Sequence, residues 1–278
     1  MNIIPMTRPT LTRRAALAGG SAVAFHALTT ALGAAAAGCD GATTGSRVSY
    51  ETLVQSDVDV DETFVTGMGW TVAIQEARIG VGYLRYAEGS AVATVPKSLP
   101  CRLASLLVPE AQAHPGHYDE GATVGEMRTP RVVELLGGPR SLGVEPGVSG
   151  DARSALLRFH SDGAMNAPRP DTVALVAGVA TRDGEIRRFA AVATRDDVLS
   201  TASGEPEVAG CPLEGGPMDT DGVFHLEVQL RVWLDQVDFE LLPDVVEETE
   251  LAVGQSPHNA FLRGVQKAAA YRFSYQPV

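Results

Sequence analysis

From Arg47 onward the chain alternates with a period of two. Val48, Tyr50 and Thr52 fall between Arg47, Ser49 and Glu51, the pattern of a strand that turns one face to a core and the other to water. The stretch from Trp70 to Glu88 continues it, with Val72 and Ile74, then Ile79, Val81 and Tyr83 on a shared face. Gly80 and Gly82 lie inside this run, where a glycine marks a bulge or a close approach of two backbones. Leu156, Phe159 and the segment Val173–Ala180 supply further apolar runs. Asp183-Gly184 separates Val173–Thr181 from Ile186–Thr194 and predicts a tight hairpin. The clearest strand pattern spans Val223 to Leu234. Phe224, Leu226, Val228, Leu230, Val232 and Leu234 share one face, with His225, Glu227, Gln229, Arg231 and Trp233 on the other. Tyr271, Phe273 and Tyr275 read as a closing strand. Helix is sparse: Ser256-Pro257 opens one short helix reaching about Lys267. These elements predict a mostly β fold, an antiparallel β-sandwich or open barrel with one short C-terminal helix.

Composition agrees with a folded body rich in turns. Of 278 residues, 45% are hydrophobic, with 29 glycines and 17 prolines. The net charge of −12 argues against general affinity for nucleic acid or anionic lipid, both of which call for a basic surface. Residues 47–278 read as a single β-rich domain with a long irregular loop at 97–131, rich in proline and glycine. A connection of that length within one domain is usually functional or disordered.

The first 38 residues read as an address. Arg8, Arg13 and Arg14 precede an Ala-, Leu- and Val-rich stretch that ends in Ala36-Ala37-Gly38-Cys39, with no acidic residue in the segment. A positive start, an apolar middle and small residues before a cut site form an export signal. Thr12-Arg13-Arg14-Ala15-Ala16-Leu17 resembles the twin-arginine export pattern. Ala36-Ala37-Gly38-Cys39 resembles the lipobox of bacterial lipoproteins. The resemblance implies a signal peptide at 1–38, a lipid on Cys39, a flexible tether at 39–46, and a protein anchored on the periplasmic or outer side of a bacterial membrane. The other reading is cleavage after Ala37, leaving Cys39 as a thiol. With Cys39 lipidated, Cys101 and Cys211 remain as an even pair, suited to one disulfide in an oxidising compartment. Loss of the first 38 residues removes three arginines and no acid, leaving a mature chain of net charge −15.

The long loop holds the main candidate for chemistry. His114-Pro115-Gly116-His117 carries the Pro-Gly signature of a type II turn, which brings its end α-carbons within about 7 Å. Two imidazoles at that separation can converge on copper or zinc. Glu126 is the favoured third ligand, and Tyr118, Asp119, Glu120 and Met127 are others within reach. The competing reading is a surface turn with solvated histidines. His160, His225 and His258 read as structural. Asp57-Val58-Asp59-Val60-Asp61-Glu62 resembles a calcium loop briefly, but Glu62 stands where a glycine is needed and Met68 where a glutamate is needed. Read as a strand, it places its three aspartates on one solvated face. No G-x-S-x-G elbow, phosphate loop or dinucleotide fingerprint occurs. The sequence therefore leads to a membrane-tethered, non-enzymatic envelope lipoprotein that binds a transition metal or small ligand through the His114–Glu126 loop. The alternatives are an interaction module docking another envelope protein and, third, a metal-dependent hydrolase.

Overall fold

Why the alternating segments pair as they do is set by one long strand. The computed structural model describes residues 45–89, 121–162, 165, 167–243 and 247–278, and Gly45–Val278 forms one unit. Strand β1 (Arg47–Ser56) buries Val48, Tyr50, Thr52 and Val54. After the short β2 (Thr63–Val65) comes β3 (Thr71–Ala87), the longest element. Then follow β4 (Thr123–Met127), β5 (Arg131–Glu134), β6 (Arg140–Val148) and β7 (Ser154–Phe159). The hairpin β8 (Thr172–Arg182) and β9 (Glu185–Thr194) precedes β10 (Glu207–Gly215) and β11 (Gly222–Val228). Helix α1 (Leu230–Leu234), β12 (Thr249–Glu250), helix α2 (Ser256–Val265) and β13 (Tyr271–Pro277) complete the chain.

Eight of these strands close on themselves. β3 pairs with β4, β4 with β6, β6 with β1, β1 with β11, β11 with β13, β13 with β10, β10 with β7, and β7 again with β3. A ring of eight strands is just wide enough for side chains to fill, and aromatic rings fill this one. Tyr86 stacks on Phe224 with centroids 3.7 Å apart, and Tyr50 stands edge-on to both. The Thr52 and Tyr86 hydroxyls share a hydrogen bond of 2.9 Å. β4 and β6 meet only at Gly125 and Gly147. A methyl on either glycine would come within 3.0 Å of the Tyr50 ring, so the ring occupies the space that side chains would take.

The first half of β3 leaves the ring and carries β8 on one side, with β9 and β12 beyond it, and β2 and β5 on the other. Flanked by strands on both sides, β8 is buried along nearly its whole length. Trp70, Phe189, Trp233, Phe239 and Phe261 are fully buried in this part of the core.

The structure revises three expectations. The sheet is mixed: β1–β11, β10–β13 and β9–β12 are parallel. Alternation reports which face of a strand is buried and carries no information on its partner's direction. The pattern from Val223 to Leu234 is not one strand. β11 stops at Val228, and Leu230, Trp233 and Leu234 are the buried side of α1, a helical spacing, whereas Leu230, Val232 and Leu234 would fit a strand face. The acidic run after β1 is a turn. Asp61 adopts a positive φ of 67°, and the Asp57 carboxylate accepts the Leu230 backbone N–H at 2.7 Å. Burial pushes the Asp57 carboxyl above its ordinary range. The predicted hairpin forms as expected, with positive φ at Asp183 and Gly184.

Candidate functional site

The site is built by an irregularity in β3. The buried positions run Val72, Ile74, then Ala77, Ile79, Val81, then Leu84, Tyr86. Each step of three coincides with a break in register, at Ile74/Glu76 against β8 and at Val81/Tyr83 against β7. Such an extra residue re-aims the side chains that follow. Gly82 occupies the second break, and a methyl there would sit 3.0 Å from the Phe159 carbonyl oxygen. Tyr83 is thereby moved off the face of Ile79 and Val81, and it stands half-buried on the outer wall of the ring.

Neighbouring strands then set two rows of polar groups on that wall. In one, Tyr83 of β3 lies opposite Arg158 of β7, which lies opposite Glu207 of β10. In the other, Glu126 of β4 lies opposite Arg85 of β3, an opposite-charge cross-strand pair. The Tyr83 hydroxyl donates to Glu126 Oε1 at 2.7 Å, which ties the rows together. Arg128 donates from Nε to Glu126 Oε2 at 2.9 Å and also through Nη2. Arg158 donates from Nε and Nη2 to Glu207 Oε2, at 3.2 and 2.9 Å, with its guanidinium 5.7 Å from the Tyr83 ring centroid. Tyr83, Arg85, Arg128, Arg158 and Glu207 border a cleft of about 480 Å³, completed by Pro130, Leu156, Phe159, His160, Arg195, Glu205 and Pro206. His160 Nε2 lies 3.4 Å from Asp162.

The electrostatics follow from these contacts. The Tyr83 hydroxyl above all, helped by the Arg128 guanidinium, holds the Glu126 carboxyl below the usual glutamate range, against burial, which is the second-largest influence and opposes it. Burial, followed by the hydrogen bond to Glu126, pushes the Tyr83 phenol up to about 12. At neutral pH the pair is a neutral phenol donating to a carboxylate.

Of the residues expected from sequence, Glu126 is bonded to two residues that line this cleft, Tyr83 and Arg128, without lining it itself. His114, His117, Tyr118, Asp119, Glu120, Cys39 and Cys101 lie outside the described residues. Met127 is fully buried in the core, on the side of β4 away from Glu126, so the two do not face a common ligand. Cys211 is a free thiol, fully buried, and burial pushes it up to about 12, which makes it inert as a nucleophile. His258 is buried and bonds through Nε2 to the Val192 carbonyl at 3.1 Å. His225 stands half-buried on the outer face of β11. His160, read as structural from sequence, lines the cleft. Among the described residues no group of three His, Cys, Asp or Glu is placed to hold a metal ion.

Sequence reasoning missed Tyr83, Arg85, Arg128, Arg158 and Glu207. The signal that finds the first two is Gly82. Once the bulge is placed there, Tyr83 and Arg85 fall on the outward face. No family model, curated protein or solved structure matches the chain, so the site stands on its own geometry.

Proposed function

We propose that this protein is a lipid-anchored lipoprotein of the bacterial envelope that binds a small ligand without transforming it. The cleft beside Glu126 supports the ligand part of this reading. Part of its wall is made of the paired strands β3, β7 and β10, and several of its polar groups are fixed by one another, as in the pre-formed concave sites where small molecules bind. The N-terminal resemblance supports the location, with the acidic body standing off the headgroups on its Gly41–Ser46 tether. Copper or zinc at His114, His117 and Glu126 would have to share the carboxylate with the Tyr83 hydroxyl and the Arg128 guanidinium, whose positive charge beside it favours an organic ligand over a metal ion.

Two measurements test the reading. Expressed in a bacterial host with labelled palmitate, the full chain is expected to take up label and its Cys39→Ala variant to take up none. An unlabelled wild-type chain in the cytosol overturns the anchoring. For the ligand, the purified protein is screened by thermal shift against small organic acids, phosphates, sugars, amino acids, Cu(II) and Zn(II). At least one organic compound is expected to raise the midpoint, and Tyr83→Ala to abolish that rise. A response to metal alone, removed by His114→Ala/His117→Ala, overturns it in favour of a metal centre. No response to any compound overturns it in favour of a docking module.

A further inference from the structure

The cleft beside Glu126 is short of acceptors and rich in donors. Arg85, Arg128, Arg158 and Arg195 line it, in a chain that carries 22 basic residues against 34 acidic ones. The carboxylates that line it are Glu205 and Glu207, with Glu126 bonded to the lining residues Tyr83 and Arg128, and each is already engaged. Glu126 takes Tyr83 on one oxygen and Arg128 on the other. Glu207 takes both nitrogens of Arg158 on a single oxygen, and its side chain is only 8% exposed. Glu205 meets Arg195 at 4.0 Å. A guanidinium has five N–H donors in a rigid fork. Arg128 and Arg158 each spend Nε and Nη2 on their glutamate, which leaves the Nη1 edge of both unspent among the described contacts. Forks of this kind match the paired oxygens of a carboxylate or phosphate.

His160 apart, the rest of the lining is apolar. Pro130 and Pro206, the Tyr83 ring and the small exposed parts of Leu156 and Phe159 share the lining with the guanidinium groups. Such surfaces suit a flat carbon body and, by displacing water, strengthen the charged contacts next to them. The remainder of the acidic molecule repels anions, so the arginine wall is a local focus that a small anion would find by its field.

We propose that the cleft takes a small organic oxyanion, a carboxylate or phosphate group on a flat apolar body, held by the forks of Arg158 and Arg128. This deepens the ligand-binding reading above and rests on it. The test is isothermal titration of the purified protein with phenyl phosphate, with phthalate and with uncharged phenol. At least one of the two anions is expected to bind and phenol not to, which separates the phosphate from the carboxylate source in the same series. Arg158→Gln is expected to weaken binding about tenfold or more, the cost of one charge-assisted contact. Arg128→Gln, at a side chain 77% exposed and so without consequence for the core, is expected to weaken it several-fold while the unfolding midpoint stays in place. Equal affinity in wild type and in both variants, or binding of neither anion, overturns the proposal. If neither anion binds but an uncharged compound raises the midpoint and loses its effect in Tyr83→Ala, the oxyanion inference alone fails. If nothing binds, the ligand-binding reading fails with it.

Discussion

A side chain at position 80 has nowhere to go. A methyl on Gly80 would lie 1.8 Å from the His160 carbonyl oxygen, and that same segment is fixed by the His160 N–H donating to the Gly80 carbonyl at 2.9 Å. The obstacle is backbone, so no rotamer change relieves it. Gly80→Ala is therefore expected to cost about 3 kcal/mol, the upper part of the range for overpacking, read as a lowered urea midpoint with an unchanged slope. A loss below about 1 kcal/mol would mean that β3 and β7 part easily at this point. The two glycines of β3 were legible as a bulge or close approach, because glycine within an apolar alternation has few other reasons to be there. What was not legible is the consequence for Tyr83. Counting by twos through a bulge puts every later side chain on the wrong face, and so the residue that organises the cleft is read as core.

At the scale of elements, the reading from sequence succeeded wherever both partners were close in the chain. The β8–β9 hairpin needed only its Asp-Gly turn and two flanking runs, and both were visible. The segment from Val223 to Leu234 failed because its apolar residues satisfy two geometries. Leu230, Trp233 and Leu234 share a helical face, while Leu230, Val232 and Leu234 share a strand face, and the choice is made by contacts far away. The Asp57 carboxylate caps Leu230, and the Gln229 N–H is taken by the Ala270 carbonyl, which ends the ladder with β13 at Tyr271. Neither partner is adjacent in sequence. The parallel pairings escaped notice for the same reason. The cleft inherits this problem, since its arginines come from β3, β7 and the segments after β4 and β9, and no local spacing brings them together.

On the scale of the whole molecule, the ring is held by an interior that tolerates no charge. Burial pushes the phenols of Tyr50, Tyr86 and Tyr271 well above the ordinary tyrosine value, and Tyr83 and Tyr275 are raised as well. A phenol whose folded value is raised contributes stability that is fully present below its unfolded value. That stability is lost as pH rises from about 10 through the folded values. Alkaline titration is therefore expected to unfold the protein in one step, with phenolate absorbance appearing together with loss of the near-ultraviolet circular dichroism. Phenolate absorbance from more than one of the six tyrosines, Tyr118 lying outside the described residues, rising near pH 10 while that signal persists would show the interior open to hydroxide.

β1, the first strand after residue 46, lies inside the ring and not at an edge, bonded along its length to β11 on one side and β6 on the other. A pull on Arg47 directed along β1 acts parallel to that strand. It loads both ladders in shear, all rungs sharing the strain, where an edge hairpin would peel open one rung at a time. Were the body tethered ahead of this strand, as proposed above, a force along β1 would be shared by the ladders on both its sides before either gave way.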